Sequence, residues 1–296
     1  MSNQQKKWLY LVLLSLIWGS SFILIKKALV GFSSVEVGGL RIIFAALTLF
    51  SFGLPKLKTI SKVDWKWLAI AGVLSSFIPP FLFALAQTQI DSGVTAIFNS
   101  LTPLNTTLVG VFVFGALITR RQIMGVFVGL LGTFALIFAG SDFNPDQNYW
   151  YATFIFMSSL GYAFNINIIK KHLSHLGPIA ITTGSFAVAF FPALLLLFFT
   201  GFFQKLTPLL FTSWEFIFVL LLAIVGTALA NILFNKLIAV SSAVFAASVT
   251  YTIPLVAVFW AMIDGERMSG YQIIGACIVL VGVYMVNKKS KAPKIA

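Results

Sequence analysis

Charge is scarce in this chain, and acid is scarcer still. Of 296 residues only 9% are charged, and 20 Lys and Arg stand against 8 Asp and Glu. A soluble globular domain carries nearer 25% charge, which excludes a water-soluble fold as the body of this protein. Cys277 is the single cysteine, so an intramolecular disulfide and a cysteine metal cluster are both excluded. The only histidines, His172 and His175, have no acidic or cysteine partner nearby in the chain. No metal site is expected from them. A membrane-embedded lipid-modifying enzyme would need a nucleophile, general base or metal cluster near a headgroup, and the histidines do not supply one. No cofactor and no enzymatic activity are expected.

What fills the chain instead is apolar, at 59% of residues. These residues fall in runs of roughly 18 to 23, the length that crosses about 30 Å of hydrocarbon. Ten such runs are read, near 8–27, 34–54, 66–87, 92–115, 122–140, 149–170, 178–200, 214–236, 242–263 and 270–287. The outer helices of a large soluble core would need polar faces, and these runs have none. The fold class expected is an all-α membrane protein with ten transmembrane helices. Lys6-Lys7 before an apolar run mimics a signal peptide. The run continues past Trp18 to Ile25 without a small-x-small cleavage site, so it reads as a retained first helix.

The net charge of +12 invites a nucleic-acid reading until its placement is considered. With the N-terminus inside, the inner joints collect Lys6, Lys7, Lys56, Lys58, Lys62, Lys66, Arg120, Arg121, Lys170, Lys171, Lys236, Lys288, Lys289, Lys291 and Lys294. The outer joints hold only Lys26, Lys27, Lys205 and Arg267. Fifteen against four is a positive-inside asymmetry, which predicts both termini in the cytoplasm. The basic surplus is thus an orientation signal with attraction to anionic headgroups, and the lipid bilayer is the partner it implies. No nucleic acid is implied.

Two stretches about 150 residues apart are copies of each other. Gln122-Ile123-Met124-Gly125, ending in Gly132, matches Gln272-Ile273-Ile274-Gly275, ending in Gly282. Trp18-Gly19 leading to Lys26-Lys27 matches Tyr162-Ala163 leading to Lys170-Lys171, and Pro103 matches Pro254. Each copy holds five spans, and five is odd, so the second copy enters the bilayer reversed. The organisation expected is a first five-helix repeat over 1–140, a linker over 141–148, and an inverted second repeat over 149–296 with a cytoplasmic tail. Inverted repeats with broken helices near the midplane are the architecture of alternating-access transporters.

Polar side chains inside the spans mark where such a cavity would lie. Thr95, Asn99, Thr102 and Thr106 form a stripe on one face of the fourth span; Ser241, Ser242, Ser248, Thr250, Tyr251 and Thr252 populate the ninth. Pro103 and Pro254 each remove a backbone hydrogen bond there, and such backbone survives at membrane depth only against protein or a watered cavity. Further polar groups are Trp18, Ser20, Ser21, Ser75, Ser76, Tyr162, Asn165, Asn167, Asn231 and Asn235. Each is open to two readings, interhelical glue or solute contact. Arg41 is the one charge well inside a span, roughly 10 Å deep at 1.5 Å per residue; it either snorkels or meets a carbonyl or anionic group. No Asp or Glu lies deep in any span, so proton coupling through a buried carboxylate has no carrier. Gly125, Gly129, Gly132, Gly275 and Gly282 allow close helix packing, or dimerisation through the same face.

By these marks the chain resembles the drug/metabolite transporter superfamily, in its ten-span EamA-type branch. The resemblance rests on Trp18-Gly19-Ser20-Ser21-Phe22, Arg41 with Ala45, Thr102-Pro103, Asp264-Gly265-Glu266-Arg267, and Gln272 to Gly282, and covers essentially the whole chain. It implies an inverted five-plus-five bundle with a central cavity. The first, third and fourth helices and their counterparts would line it, with the fifth and tenth outside. It also implies export of amino acids or other small metabolites. One departure is visible: Gly-Glu-Arg is common in the family after both the fourth and ninth spans, whereas here the first copy reads Gly115-Ala116-Leu117.

The function expected is a cytoplasmic-membrane exporter of small polar metabolites such as amino acids, working by alternating access. Trp18, Arg41, Asn99, Thr102, Tyr162, Asn165, Asn231 and Tyr251 are the expected substrate contacts, with aromatics enclosing the apolar part and amides and hydroxyls the polar ends. A phosphorylated substrate would call for several buried basic groups, and only Arg41 qualifies. Organic cations held on aromatic faces are the alternative, and a membrane receptor or scaffold without transport is a further one. The oligomeric state stays open, a monomer being compatible.

Overall fold

The computed structural model describes residues 2–116, 119–143 and 146–287. Leu117, Asn144-Pro145 within the 141–148 joint, and the basic tail from Lys288 (with Lys289, Lys291 and Lys294) lie outside the described residues. Among the described residues the chain is all-helical, with no strand. We number the segments α1 (Asn3–Ala28), α2 (Ser34–Leu57), α3 (Lys62–Ala86), α4 in two pieces (Ser92–Asn99 and Thr102–Phe112), and α5 (Arg120–Phe143). They continue as α6 (Ala152–His172), α7 (Pro178–Phe199), α8 (Trp214–Val240), α9 in two pieces (Ala243–Ala247 and Val249–Ile263), and α10 (Gly270–Asn287). Among the described residues seven helices are long and apolar enough to cross a membrane. The break in α4 leaves neither of its pieces that long, and in α5 and α10 only Ile123–Ala135 and Gly270–Gly282 are strongly apolar.

Helix starts are written locally. Ser2 with Gln5, Ser33 with Glu36 and Ser61 with Asp64 form capping boxes at the heads of α1, α2 and α3, each satisfying two otherwise orphaned amides. Pro178 opens α7, where its missing N–H costs nothing.

The packing repeats on exchange of the two halves. The contact of α1 with α9 has its counterpart in α6 with α4, and that of α3 with α7 in α8 with α2. The α2–α7 and α5–α10 pairs map onto themselves. In the last pair a Cβ on Gly132 would overlap the Val279 amide, and one on Gly282 would sit 2.7 Å from the Gly125 carbonyl oxygen. The repeated glycines therefore bring α5 and α10 together within one chain, which is the close-packing use of small residues.

The breaks in α4 and α9 differ from the proline-centred expectation. Both fall on a serine: Ser100 Oγ donates to Ile97 O at 2.6 Å and Ser248 Oγ to Phe245 O at 2.7 Å. Just beyond, Thr102 Oγ1 donates to Asn99 O and Thr250 Oγ1 to Ala247 O. The serine hydroxyls share carbonyls that already accept the serines' own amides, while Thr102 and Thr250 bond the carbonyls just before each break. Pro103 sits in the first turn of the second α4 piece, and Pro254 lies inside the second α9 piece, so the two prolines are not structural equivalents.

One end of the bundle gathers the end of α1, the start of α4 and the loop after α9, through Lys26, Ser92 and Glu266. The start of α6 joins that end through Gln272 and Tyr149, which bond at 2.9 Å. The other end gathers the start of α1 with the start of α9, where Trp8 meets Phe245 edge-on. There too the start of α3 meets the end of α6, Trp67 stacking on His172 at 3.7 Å.

Candidate functional site

Midway along the bundle, α1, α2, α3, α4, α6, α7, α8 and α9 surround a cavity. Two π-helical stretches help to shape it, Val73–Phe77 in α3 and Ile224–Leu229 in α8. A π turn displaces the i→i−4 ladder and frees carbonyls, a distortion that recurs at functional sites. Here side chains take them up. Thr227 Oγ1 donates to Leu222 O at 2.8 Å, Asn231 Nδ2 to Thr227 O at 2.8 Å, and Trp18 Nε1 to Gly226 O at 3.1 Å.

The cavity is lined in matched pairs. Trp18 is matched by Tyr162, Ser21 by Asn165 and Phe22 by Ile166, at one sequence spacing along α1 and α6. Ser76 pairs with Thr227, Pro80 with Asn231 and Phe83 with Phe234 along α3 and α8, and Thr102 with Thr250 at the two breaks. The polarity is unequal: Asn99 is matched by Ala247, and Arg41 in α2 by Ser185 in α7, which is off the wall while its neighbour Phe186 is on it. Aromatic rings form two runs on the wall, Phe22–Phe83–Tyr162 and Trp18–Phe234, the last pair 5.0 Å apart and tilted by 61°.

Of the residues expected to contact solute, Trp18, Arg41, Asn99, Thr102, Tyr162, Asn165 and Asn231 line this cavity. Tyr251 does not; its ring packs against Leu101 and Val279, and Thr250 holds the wall instead. One residue turns a helix by about 100°, which carries a neighbour off the wall. The α4 stripe divides in the same way, with Asn99 and Thr102 on the wall, while Thr106 donates to Thr102 O. Asn167 and Asn235 act as glue, donating to Thr106 O and Thr182 Oγ1. Asn165 Oδ1 is buried without a hydrogen-bond partner. Arg41 is 9% exposed and donates from Nε to Thr227 Oγ1 at 2.6 Å.

Thr227, Phe186, Phe83 and Phe234 were not legible as wall residues. Each is ordinary in an apolar helix, and only Gly226-Thr227 at the matched depth hinted at the α8 distortion. Among the described residues no cluster of three or more His, Cys, Asp or Glu forms.

Above the cavity, at the end where α1 stops, Glu266 ties three segments together. It accepts from Lys26 Nζ at 2.8 Å, from Ser92 N at 3.1 Å and Oγ at 2.7 Å, and from Gly93 N at 3.1 Å. Asp264 pairs with Lys26 at 2.8 Å and with Lys27. Burial pushes the Asp264 carboxyl up, but hydrogen bonds from Lys26 and Lys27 outweigh it and hold the group below its ordinary value. Nearby, burial raises Asp91 against the hydrogen bond it accepts from Gln147 at 2.6 Å. The matching turn in the first half has the same backbone, with Gly115 at φ 72° and Gly265 at φ 85°. Phe114 and Ala116 stand there in place of the two acids, and Lys171 lies over the Phe114 ring at 5.3 Å.

The model of the EamA-like transporter family matches residues 5–138 and again 149–288. The chain belongs to that family. It is therefore a multi-pass membrane protein of a transporter family rather than of an enzyme family. Among curated proteins it is 25% identical over 282 residues to the uncharacterized inner membrane transporter YedA of Escherichia coli K12, covering 93% of this chain and 88% of that one. It is 24% identical over 286 residues to a probable amino-acid metabolite efflux pump of Salmonella typhimurium, covering 93% and 92%. A solved crystal structure superposes with a TM-score of 0.67 at 16% identity over 96% of both chains, a likeness of fold.

Proposed function

We propose that this EamA-family chain exports small polar metabolites, amino acids or similar zwitterions, across the cytoplasmic membrane by alternating access. The observation that carries the reading is the cavity at mid-depth, lined by residues matched between the two halves. A cavity on an exchange axis can be closed at either end by equivalent motions of the two halves. Helix α1 ends where α6 begins, and α9 ends where α4 begins, which supports ten spans arranged as two inverted five-helix repeats. A name among the relatives, the amino-acid metabolite efflux pump, supports the substrate class and the outward direction.

Uptake of labelled amino acids into vesicles, against protein-free vesicles, tests the reading; equal uptake in both would end it. Asn99→Ala should weaken solute binding by ~1–3 kcal/mol if Asn99 touches solute, with Trp18→Ala behaving alike. Melting temperature and dissociation constant measured together decide the assignment, since lost stability with intact affinity would make both residues structural glue.

The basic end of the bundle, with Lys7, Lys66 and Lys171, is the cytoplasmic one on this reading. Single cysteines at Thr59 in a turn and Gln204 in a short 3₁₀ helix, both exposed, should label from opposite sides in a Cys277→Ala background. Thr59 should react only from inside and Gln204 only from outside with an impermeant thiol reagent. Labelling of both from one face would overturn the topology.

A further inference from the structure

We propose that Arg41 is the carboxylate-binding and specificity-determining residue of the cavity, so that it takes small organic carboxylates, zwitterions included, and rejects organic cations. The inference rests on the transporter reading of the same cavity and assigns the charge its substrate must carry. Among the described residues only Nε of the guanidinium has a side-chain partner, the Thr227 hydroxyl at 2.6 Å. That hydroxyl spends its proton on Leu222 O, so it accepts from Arg41 without supplying any neutralising charge. The remaining N–H groups of the fork belong to a side chain that lines the cavity.

Among the described side chains no carboxylate pairs with it. The chain has 8 acids. Glu36 is held by Ser33 and Lys205, Asp64 by Ser61 and His175, and Asp91 by Gln147. Asp264 and Glu266 are engaged with Lys26, Glu215 lies at the head of α8 beside Gly31, and Asp142 and Asp146 belong to the joint between the halves. A charge removed from water without a counter-charge is costly, and such a group is kept in a membrane interior when a ligand or pathway uses it. The planar fork matches a carboxylate with two parallel hydrogen bonds. Phe186 lines the same cavity from α7, so the wall offers an aromatic face as well as the guanidinium. The unpartnered Asn165 Oδ1 provides an acceptor for an ammonium or hydroxyl on the same solute. A solute with only positive charge meets the aromatic faces but is repelled by Arg41 in a low-dielectric space.

The test needs no knowledge of the natural solute. Purified protein is melted in sodium benzoate, in benzamide and in benzylammonium chloride at matched ionic strength, as wild type, Arg41→Gln and Arg41→Lys. Benzoate alone should raise the wild-type melting temperature, because a ligand of the folded state stabilises by mass action. Arg41→Gln should weaken benzoate binding about 10- to 100-fold, and Arg41→Lys should retain part of it. Benzoate and benzamide acting equally on wild type would overturn the proposal, as would an unchanged benzoate effect in Arg41→Gln. Amino-acid uptake by the same preparation separates the two readings. Uptake without a benzoate-specific shift sinks the carboxylate assignment alone, whereas a benzoate-specific shift without uptake upholds the site and sinks transport.

Discussion

Valine at position 161 should leave little or no folded protein. Gly161 lies in α6 where that helix crosses the π stretch of α3, and a Cβ there would overlap the carbonyl oxygen of Leu74. The obstacle is backbone held in a distorted helix, so no side-chain rotation relieves it. Forcing bulk into a packed contact costs ~1–3 kcal/mol in ordinary cores, and a backbone obstacle puts Gly161→Val at or above that range. Melting temperature and the monodisperse fraction in size exclusion report it. Gly161→Ala should show a smaller loss in the same direction. Gly177→Ala, where nothing lies within 4 Å, should behave as wild type. A Gly161→Val protein that melts like wild type would mean that α3 and α6 do not meet as described.

Removing the Glu266 side chain should release the end of the bundle where α1 stops. The carboxylate is 3% exposed, and it is the partner of Lys26, the Ser92 hydroxyl and amide, and the Gly93 amide. Truncating one member of a buried ionic network costs ~3–5 kcal/mol when its partners stay buried. Lys26 is one-third exposed and keeps Asp264, so the lower end of that range applies. A change of ~3 kcal/mol moves a two-state equilibrium roughly 100-fold. In a Cys277→Ala, Ser21→Cys background, Glu266→Ala should therefore raise labelling of the cavity cysteine from outside by up to that factor. An unchanged rate would remove Glu266 from any role as a closure. The shape of the pH profile should persist, because the depressed Asp264 lends stability above its unfolded value and loses it only as pH falls through its still lower folded value. The pairing of Asp264 is thus intact across the range from about pH 5 to 8.

The ten segments were legible because a bilayer reads run length and polarity, both of which are local. The expected 178–200 and 270–287 runs fall on Pro178–Phe199 and Gly270–Asn287. Most of the cavity was legible too, since an asparagine, tryptophan or arginine in hydrocarbon needs a reason to be there. Tyr251 lies off the lining: polarity says that a side chain wants a partner but not on which side of its helix the partner stands. The breaks were misplaced because Pro254 looks like Pro103 in sequence, whereas the hydroxyl-to-carbonyl bonds of Ser100 and Ser248 depend on how α4 and α9 end their first turns.

From the sequence alone came the membrane class, the duplication, the basic asymmetry and the scarcity of acid in the interior. Each is a property of composition or order along the chain, independent of which helix touches which. Tertiary structure alone decided that Arg41 bonds Thr227, that Phe186 lines the cavity, and that the repeated glycines join α5 to α10. It also decided that Glu266 binds the head of α4. Those facts depend on packing between helices far apart in sequence. Helix rotation, and the carbonyls freed where a ladder is distorted, are set by neighbours that no local pattern names.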